Sequence, residues 1–218
     1  MGRRNPFLLH VETMIHGRVL MSEASAQGHR GLLVGFHGYA ENARIQLDRL
    51  LPMASQEWLV CSVQALHPFY TRTDGEVVAS WMTRLDRELA IAQNLDYVSA
   101  VLQRVRSGFA STPEQVFCGF SQGAAMAYRA AVTQPARTIS VAAIGGDVPP
   151  ELNREALSRV KTVLVARGLR DRHYSAEKMD EDLRRLALAE VPICTFTFEG
   201  AHQWQDVLTP RIHQFLAR

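Results

Sequence analysis

Residues 115–131 read QVFCGFSQGAAMAYRAA, and this stretch decides the fold. Its first residues are β-prone and its last eight are mostly strong helix formers, so a strand turns into a helix here. Between them, Gly119 and Gly123 flank Ser121 in the pattern G-x-S-x-G, and a side chain at either glycine would crowd so sharp a turn. The turn predicts an exposed serine nucleophile at a helix N-terminus, which favours developing negative charge. The bare pattern also occurs by chance in glycine-rich turns, and the flanking strand and helix favour the nucleophile.

Short apolar runs alternate with helix-periodic segments along the rest of the chain. Strands are predicted at 31–36, 58–63, 139–144, 163–166 and 193–198, and helices at about 41–56, 84–107, 122–133, 175–188 and the C-terminal end. This alternation predicts an α/β fold with a mostly parallel central sheet and helices on both faces. Residues 7–22 are predicted to form an antiparallel hairpin, and 67–80 an irregular segment. No repeat or linker divides residues 1–218, so a single domain is predicted.

Composition and charge exclude several classes of protein. The net charge is +2, from 24 basic and 22 acidic side chains, and neither sign dominates a long segment, so no nucleic-acid partner is predicted. Cys61, Cys118 and Cys194 each lie in an apolar run and predict buried free thiols in a reducing compartment. Residues 1–6 begin neither a signal peptide nor a membrane anchor, so a cytoplasmic protein without stable membrane insertion is expected. No cluster of His, Asp or Cys has metal-ligand spacing, and no metal or cofactor is predicted.

A serine nucleophile needs a general base within hydrogen-bonding distance and an acid that orients the base. In the α/β-hydrolases, whose nucleophile turn has this pattern, the three residues follow in the order Ser, Asp or Glu, His, at the ends of strands. Asp171 follows the strand at 163–166 and His202 follows the last strand, which places both at the same edge of the sheet as Ser121. We therefore predict a catalytic triad of Ser121, Asp171 and His202.

Other residues compete for these roles. Asp147 follows the strand at 139–144, where some α/β-hydrolases keep their acid, and is the alternative to Asp171. Asp206 lies shortly after His202 and could touch the imidazole without orienting it. His173 is close to Asp171 in sequence but lies on the wrong loop for a base.

A tetrahedral intermediate also needs two backbone N–H donors directed at its oxyanion. The residue after the nucleophile, Gln122, is expected to supply one of them. The other is expected from the loop after the first central strand, at residues 36–42.

Several motifs together resemble the small carboxylesterase/lysophospholipase group, which includes acyl-protein thioesterases and bacterial carboxylesterases: Phe36-His37-Gly38-Tyr39, Ser80-Trp81, the string at 119–127, Asp171 and His202. The resemblance runs from about residue 30 to the C-terminus. It implies a single-domain α/β-hydrolase without a large lid or a cofactor, acting on small-molecule ester or thioester bonds. It also implies that the Tyr39 N–H is the second oxyanion donor. Trp81 would wall the acyl pocket, or else be an ordinary core aromatic residue, and homodimers are common in the group.

The sequence departs from the group in two places. The group usually has Val-Pro, or something close, shortly after the acid, whereas Arg172-His173-Tyr174 follows Asp171 here. The segment at 71–75, in a region that tends to line the substrate groove, is hard to align. The expected function is hydrolysis of short-to-medium acyl esters, with a long-chain lysophospholipase or acyl-thioesterase as the alternative. A non-catalytic binding protein with this fold is the remote third hypothesis.

Overall fold

A seven-stranded sheet forms the centre of the computed structural model, which describes residues 7–23, 28–108, 114–135 and 138–217. The strands are β1 (Val19–Met21), β2 (Gly31–Phe36), β3 (Trp58–Val63), β4 (His67–Tyr70), β5 (Val77–Ser80), β6 (Glu114–Phe120), β7 (Ile139–Ile144), β8 (Val163–Gly168) and β9 (Ile193–Phe198). The helices are α1 (Ala43–Leu50), α2 (Arg87–Gly108), α3 (Gln122–Val132), α4 (Arg154–Leu157), α5 (Ala176–Leu188) and α6 (Leu208–Leu216). The sheet order is β1-β3-β2-β6-β7-β8-β9, and every pair is parallel except β1 with β3. The predicted mostly parallel sheet is confirmed.

Helices cover both faces of this sheet, as predicted. Every residue of β2, β3, β7 and β8 is buried, as expected for parallel strands with helices on either side. One apolar cluster joins the sheet to α1 and α6, and a second joins it to α2, α3 and α5. Cys61 and Cys118 are buried free thiols, whereas Cys194 is only half-buried. Among the described residues, no helix combines the length and the apolar character needed to cross a membrane.

The predicted hairpin at 7–22 is wrong. Of that segment only β1 is a strand, and it pairs with β3, with Val19 opposite Val63. Gly17, at the expected turn, instead packs against the ring of Tyr97, where an added Cβ would lie 2.0 Å from a ring carbon. The edge of β3 supplies β1 with a partner strand already packed in the core, which a two-stranded hairpin lacks. Residues 1–6, on which the targeting expectation rested, lie outside the described residues.

The segment at 67–80 is not irregular, which corrects the second expectation. β4 and β5 form a two-stranded antiparallel sheet, with Tyr70 opposite Val77. The turn between them is closed by a hydrogen bond from the Thr71 hydroxyl to Asp74, and Gly75 adopts a φ of 70°. Turn residues such as Asp74 and Gly75 are found both in irregular loops and in turns between paired strands, so they did not distinguish the two.

The turn between β6 and α3 brings three backbone segments into direct contact. A Cβ added to Gly119 would lie 2.1 Å from the Gly123 carbonyl oxygen. A Cβ added to Gly123 would lie 2.0 Å from the carbonyl oxygen of Phe36 at the end of β2. The expectation that side chains would crowd this turn is confirmed, and the same contact seats α3 directly on β2.

A buried carboxylate anchors the loop after β8. The Asp182 side chain on α5 accepts hydrogen bonds from the Val148 N–H (2.9 Å) and the Tyr174 hydroxyl (3.1 Å). Burial raises the pKa of Asp182 from 3.8 to about 6, against the opposing effect of these hydrogen bonds. Tyr174 is itself buried, so Asp182 fixes the chain three residues beyond Asp171.

Substituting Gly123 tests the backbone contact. We expect Gly123→Ala to lower the free energy of unfolding by about 1–3 kcal/mol or more, because the methyl group meets backbone oxygens that cannot rotate away. Gly108→Ala is the control, since no described residue lies within 4 Å of a Cβ at that helical position. We expect it to be neutral or stabilising by up to about 1 kcal/mol. Urea denaturation measures both changes, and equal effects of the two substitutions would contradict the contact.

Substituting Asp182 tests the buried carboxylate through the pH dependence of stability. The folded state binds the Asp182 proton more tightly than the unfolded state, so this group stabilises most below pH 3.8 and loses its contribution as the pH rises through about 6. Relative to Asp182→Asn, the wild type should therefore lose on the order of 2–3 kcal/mol of unfolding free energy between pH 4 and pH 7. Asp180→Asn removes an exposed carboxylate from the same helix and is the matched control. A wild-type advantage that grows with pH would refute this account.

Candidate active site

Ser121 lies between β6 and α3 in a strained conformation, with a φ of 52° and a ψ of −118°. Its own N–H donates to the Ile144 carbonyl at the end of β7, over 2.8 Å, which ties the turn to the neighbouring strand. The Ser121 Oγ lies 2.8 Å from Nε2 of His202. A non-glycine residue with positive φ carries an energetic penalty, and such residues cluster at functional sites.

His202 is held between Ser121 and Asp171. Its Nδ1 lies 2.8 Å from Oδ2 of Asp171, whose side chain is only 2% exposed. Because a carboxylate only accepts hydrogen bonds, Nδ1 carries the proton, and Nε2 is left to accept from the Ser121 hydroxyl. The other Asp171 oxygen accepts from the backbone N–H groups of His173 and Tyr174, each over 2.8 Å. The structure thus brings together all three residues of the predicted triad.

Close backbone packing joins the loops that carry the acid and the base. The Arg170 N–H donates to the Gly200 carbonyl over 2.8 Å, and a Cβ on Gly168 would lie 2.4 Å from the Ala201 oxygen. Gly145 lies beside the imidazole with a φ of 58°, a left-handed conformation that favours glycine, and a Cβ there would be in ordinary contact with the His202 Cε1 at 3.5 Å. The loops after β8 and β9 therefore meet at the sheet edge where β6 presents the serine.

The competing residues lie elsewhere or make other contacts. Asp147, the alternative acid, pairs with Lys178 at 3.3 Å. Both ring nitrogens of His202 are occupied by Ser121 and Asp171, which leaves none for Asp206. His173 contacts the His202 ring with a centroid distance of 4.8 Å, so it lies beside the base.

The two expected oxyanion donors have backbone N–H groups without a protein acceptor among the described residues. On either side of Tyr39, the Gly38 N–H donates to Glu41 Oε2 (2.7 Å) and the Ala40 N–H donates to the Ala79 carbonyl (3.1 Å). The Tyr39 N–H between them therefore has no acceptor among the described residues and is free to donate to an oxyanion. The Gln122 N–H is at the first position of α3, where no intrahelical acceptor exists.

The side chain of Gln122 joins the nucleophile turn to the end of β5, a role that the sequence analysis missed. Its Oε1 accepts from the Trp81 N–H over 2.8 Å, and its Nε2 donates to the Met82 carbonyl over 2.8 Å. The residue was singled out only for its backbone N–H, although its place inside the G-F-S-Q-G string marks it for attention.

The Trp81 side chain is fully buried, as the alternative of an ordinary core aromatic residue expects, and its contact with an acyl chain stays a prediction. The indole N–H donates to the His37 carbonyl over 2.8 Å, and the ring lies 5.4 Å from the His37 ring. His37 is also fully buried, accepts from the Ala65 N–H at Nε2 (3.0 Å) and donates from Nδ1 to the Gly38 carbonyl (2.7 Å). Burial lowers the pKa of His37, which agrees with a neutral ring in this tautomer. Trp81 and His37 therefore support the loop that carries Tyr39.

The surroundings of the triad are aromatic and open. Phe120 stacks on His202 with a centroid distance of 5.2 Å, and Trp204 meets Phe120 edge to face at 6.2 Å. Ser121 and His202 are only half-buried, so both are accessible from solvent. Within the part of the chain that the structure describes, no group of three or more His, Cys, Asp or Glu side chains could hold a metal ion.

Comparison with known proteins agrees with this geometry. The model of the phospholipase/carboxylesterase family matches residues 21–171, which include Ser121 and end at Asp171. Esterase PE8 aligns with a TM-score of 0.74 at 19% identity, over 93% of this chain and 99% of its own. Acyl-protein thioesterase 2 of Zea mays aligns with a TM-score of 0.72 at 16% identity, over 93% and 98%. A carboxylesterase of Bacillus cereus aligns with a TM-score of 0.71 at 16% identity, over 92% and 93%.

At these identities the solved structures support the fold alone, and no curated protein sequence matches the chain. The family model, by contrast, covers more than half of the chain. The chain therefore belongs to the phospholipase/carboxylesterase family and is a hydrolytic enzyme with the α/β-hydrolase fold.

Proposed function

We propose that the protein hydrolyses carboxylic esters through an acyl-enzyme formed on Ser121. One observation carries this proposal: the hydrogen-bonded series from Asp171 through His202 to Ser121, with 2.8 Å at each step. These distances suit proton transfer from the serine hydroxyl to the imidazole, with the carboxylate holding the ring in the required tautomer.

In the acylation step, the Ser121 Oγ attacks the ester carbonyl carbon while His202 Nε2 takes the hydroxyl proton. Asp171 stabilises the imidazolium that forms, and the N–H groups of Tyr39 and Gln122 donate to the oxyanion. When the tetrahedral intermediate collapses, the bond to the alcohol oxygen breaks and His202 returns the proton to the leaving group. In the second half, His202 takes a proton from water as the water oxygen attacks the acyl carbon; the bond to the Ser121 Oγ then breaks, His202 returns the proton to that oxygen, and the acid is released.

Short-to-medium acyl esters are the favoured substrates. The half-buried Ser121 and His202 favour a shallow site open to solvent over a deep acyl tunnel. A cytoplasmic location stays a prediction from the sequence, and a homodimer is only what the family resemblance makes possible.

Long-chain esters or thioesters are the second candidate, because aromatic side chains that are at least partly exposed lie beside the oxyanion loop. The Tyr39 ring is 59% exposed and lies 5.5 Å from the half-buried Phe69 ring of β4. An acyl chain laid across these rings would bury apolar surface, and the same triad cleaves both kinds of bond.

A series of p-nitrophenyl esters from acetate to palmitate, with wild type beside Ser121→Ala, tests the proposal. We expect hydrolysis that favours short chains and falls roughly 10⁴-fold or more in the variant. A kcat/KM that instead rises by about fourfold with each added methylene would establish the long-chain alternative. Undiminished turnover in Ser121→Ala would refute the serine mechanism. A folded wild type that neither turns over esters nor reacts with a fluorophosphonate would establish the non-catalytic hypothesis.

Paired substitutions test the assignment of the acid. We expect Asp171→Asn to lower kcat by about 10⁴-fold, since the imidazole then adopts the wrong tautomer. Asp147→Asn is the matched control, because that carboxylate only pairs with Lys178. We expect it to change kcat less than about threefold, in line with the small contribution of exposed ion pairs. The reverse order of the two effects would transfer the role to Asp147.

A further inference from the structure

We propose that Glu41 and Arg49 are a positioning pair for the proposed reaction, which hold the Gly38–Tyr39 backbone and the ring that stacks on His202. The inference rests on the proposed function. It adds two residues that the sequence analysis did not single out, in the loop before α1 and near its end.

Glu41 fixes the backbone next to the expected oxyanion donor. Its Oε2 accepts from the Gly38 N–H over 2.7 Å. A Cβ on Gly38 would lie 3.0 Å from that oxygen and 2.9 Å from the Phe120 ring, so carboxylate and ring both press on the same glycine. The peptide that bears the Tyr39 N–H begins at Gly38, so Glu41 holds the peptide immediately before it, while the His37 Nδ1 bond to the Gly38 carbonyl holds that peptide itself.

Arg49 fixes the carboxylate through two parallel contacts. Nη1 lies 2.8 Å from Oε2 of Glu41, and Nη2 lies 2.8 Å from Oε1. The side chains are 22% and 15% exposed, so the pair is largely withdrawn from water. A bidentate, partly buried pair of this kind restrains geometry more strongly than an exposed single contact.

The same guanidinium also packs on the aromatic ring that stacks on the general base. Arg49 Cζ lies 5.4 Å from the Phe120 ring centroid and 5.3 Å from the Trp204 ring centroid. Phe120 in turn stacks on His202 at 5.2 Å. One cation therefore contacts the carboxylate that orients the oxyanion loop and the ring that lies on the general base.

The charges give the pair a distinctive signature. A carboxylate beside the expected oxyanion position opposes the negative charge that develops there, and Arg49 compensates it. Loss of Arg49 alone leaves the Glu41 charge uncompensated. Loss of both charges removes that opposition, so the double variant should have a higher kcat than the variant that lacks Arg49 alone.

The test compares Arg49→Met, Glu41→Gln, the double variant and Arg49→Lys, with each rate expressed per site titrated by a fluorophosphonate. We expect Arg49→Met to lower kcat by about tenfold to a hundredfold with KM changed less than about threefold, as for a small misplacement of reacting groups. The kcat of the double variant should be at least about threefold higher than that of Arg49→Met, and the kcat of Arg49→Lys should lie between those of Arg49→Met and wild type. Arg44→Met is the control on the same helix, because its ion pair with Asp48 is exposed, and its kcat should stay within about twofold.

A structural role alone would lower the melting temperature without this pattern in kcat. Hydrogen exchange of the Gly38 amide gives a readout independent of turnover, and it should be faster in Arg49→Met and Glu41→Gln than in wild type. An active wild type whose kcat is insensitive to Arg49→Met, or a double variant no better than Arg49→Met, would overturn the inference alone. A wild type that is inert and unlabelled would overturn the proposed function, and the catalytic role of the pair with it.

Discussion

The contact between the backbone of α3 and the end of β2 is the constraint on which the rest of the site depends. With no side chain at Gly123, the helix approaches so closely that even a Cβ would lie 2.0 Å from the Phe36 oxygen. This approach holds Ser121 in its strained conformation and brings the Gln122 N–H next to the loop that follows β2. Nucleophile and oxyanion donors therefore derive their relative positions from one backbone-to-backbone contact.

Two sets of buried polar residues extend this arrangement outward. Trp81 and His37 hold the loop that carries Tyr39 through hydrogen bonds to main-chain groups. Asp182 accepts from the Tyr174 hydroxyl, and the Tyr174 N–H donates to Asp171, so these two residues hold the loop that carries the acid. Because buried polar groups must be paired, such contacts restrain both loops at several atoms and leave few alternative conformations.

Much of the fold could be predicted because parallel strands buried on both faces are continuous apolar runs. The bounds of β2, β3 and β7 match the predicted runs, and so do those of β9, a partly exposed edge strand. The first strand and the segment between β3 and α2 were harder to predict. The pairing of β1 with β3 depends on an edge strand distant in sequence, and the turn residues at 71–75 fit a hairpin as well as a loop.

The sequence by itself determined the nucleophile turn, the order Ser121, Asp171, His202 along the chain, and the strand ends where each residue lies. Local propensity and the glycine spacing carry that information, since they depend only on near neighbours. Only the tertiary structure decided that Trp81 is buried, that Gln122 joins the turn to β5, and that Arg49 contacts both Glu41 and Phe120. Those contacts join residues far apart in the chain, and they exist only after sheet order and helix docking have placed the backbones.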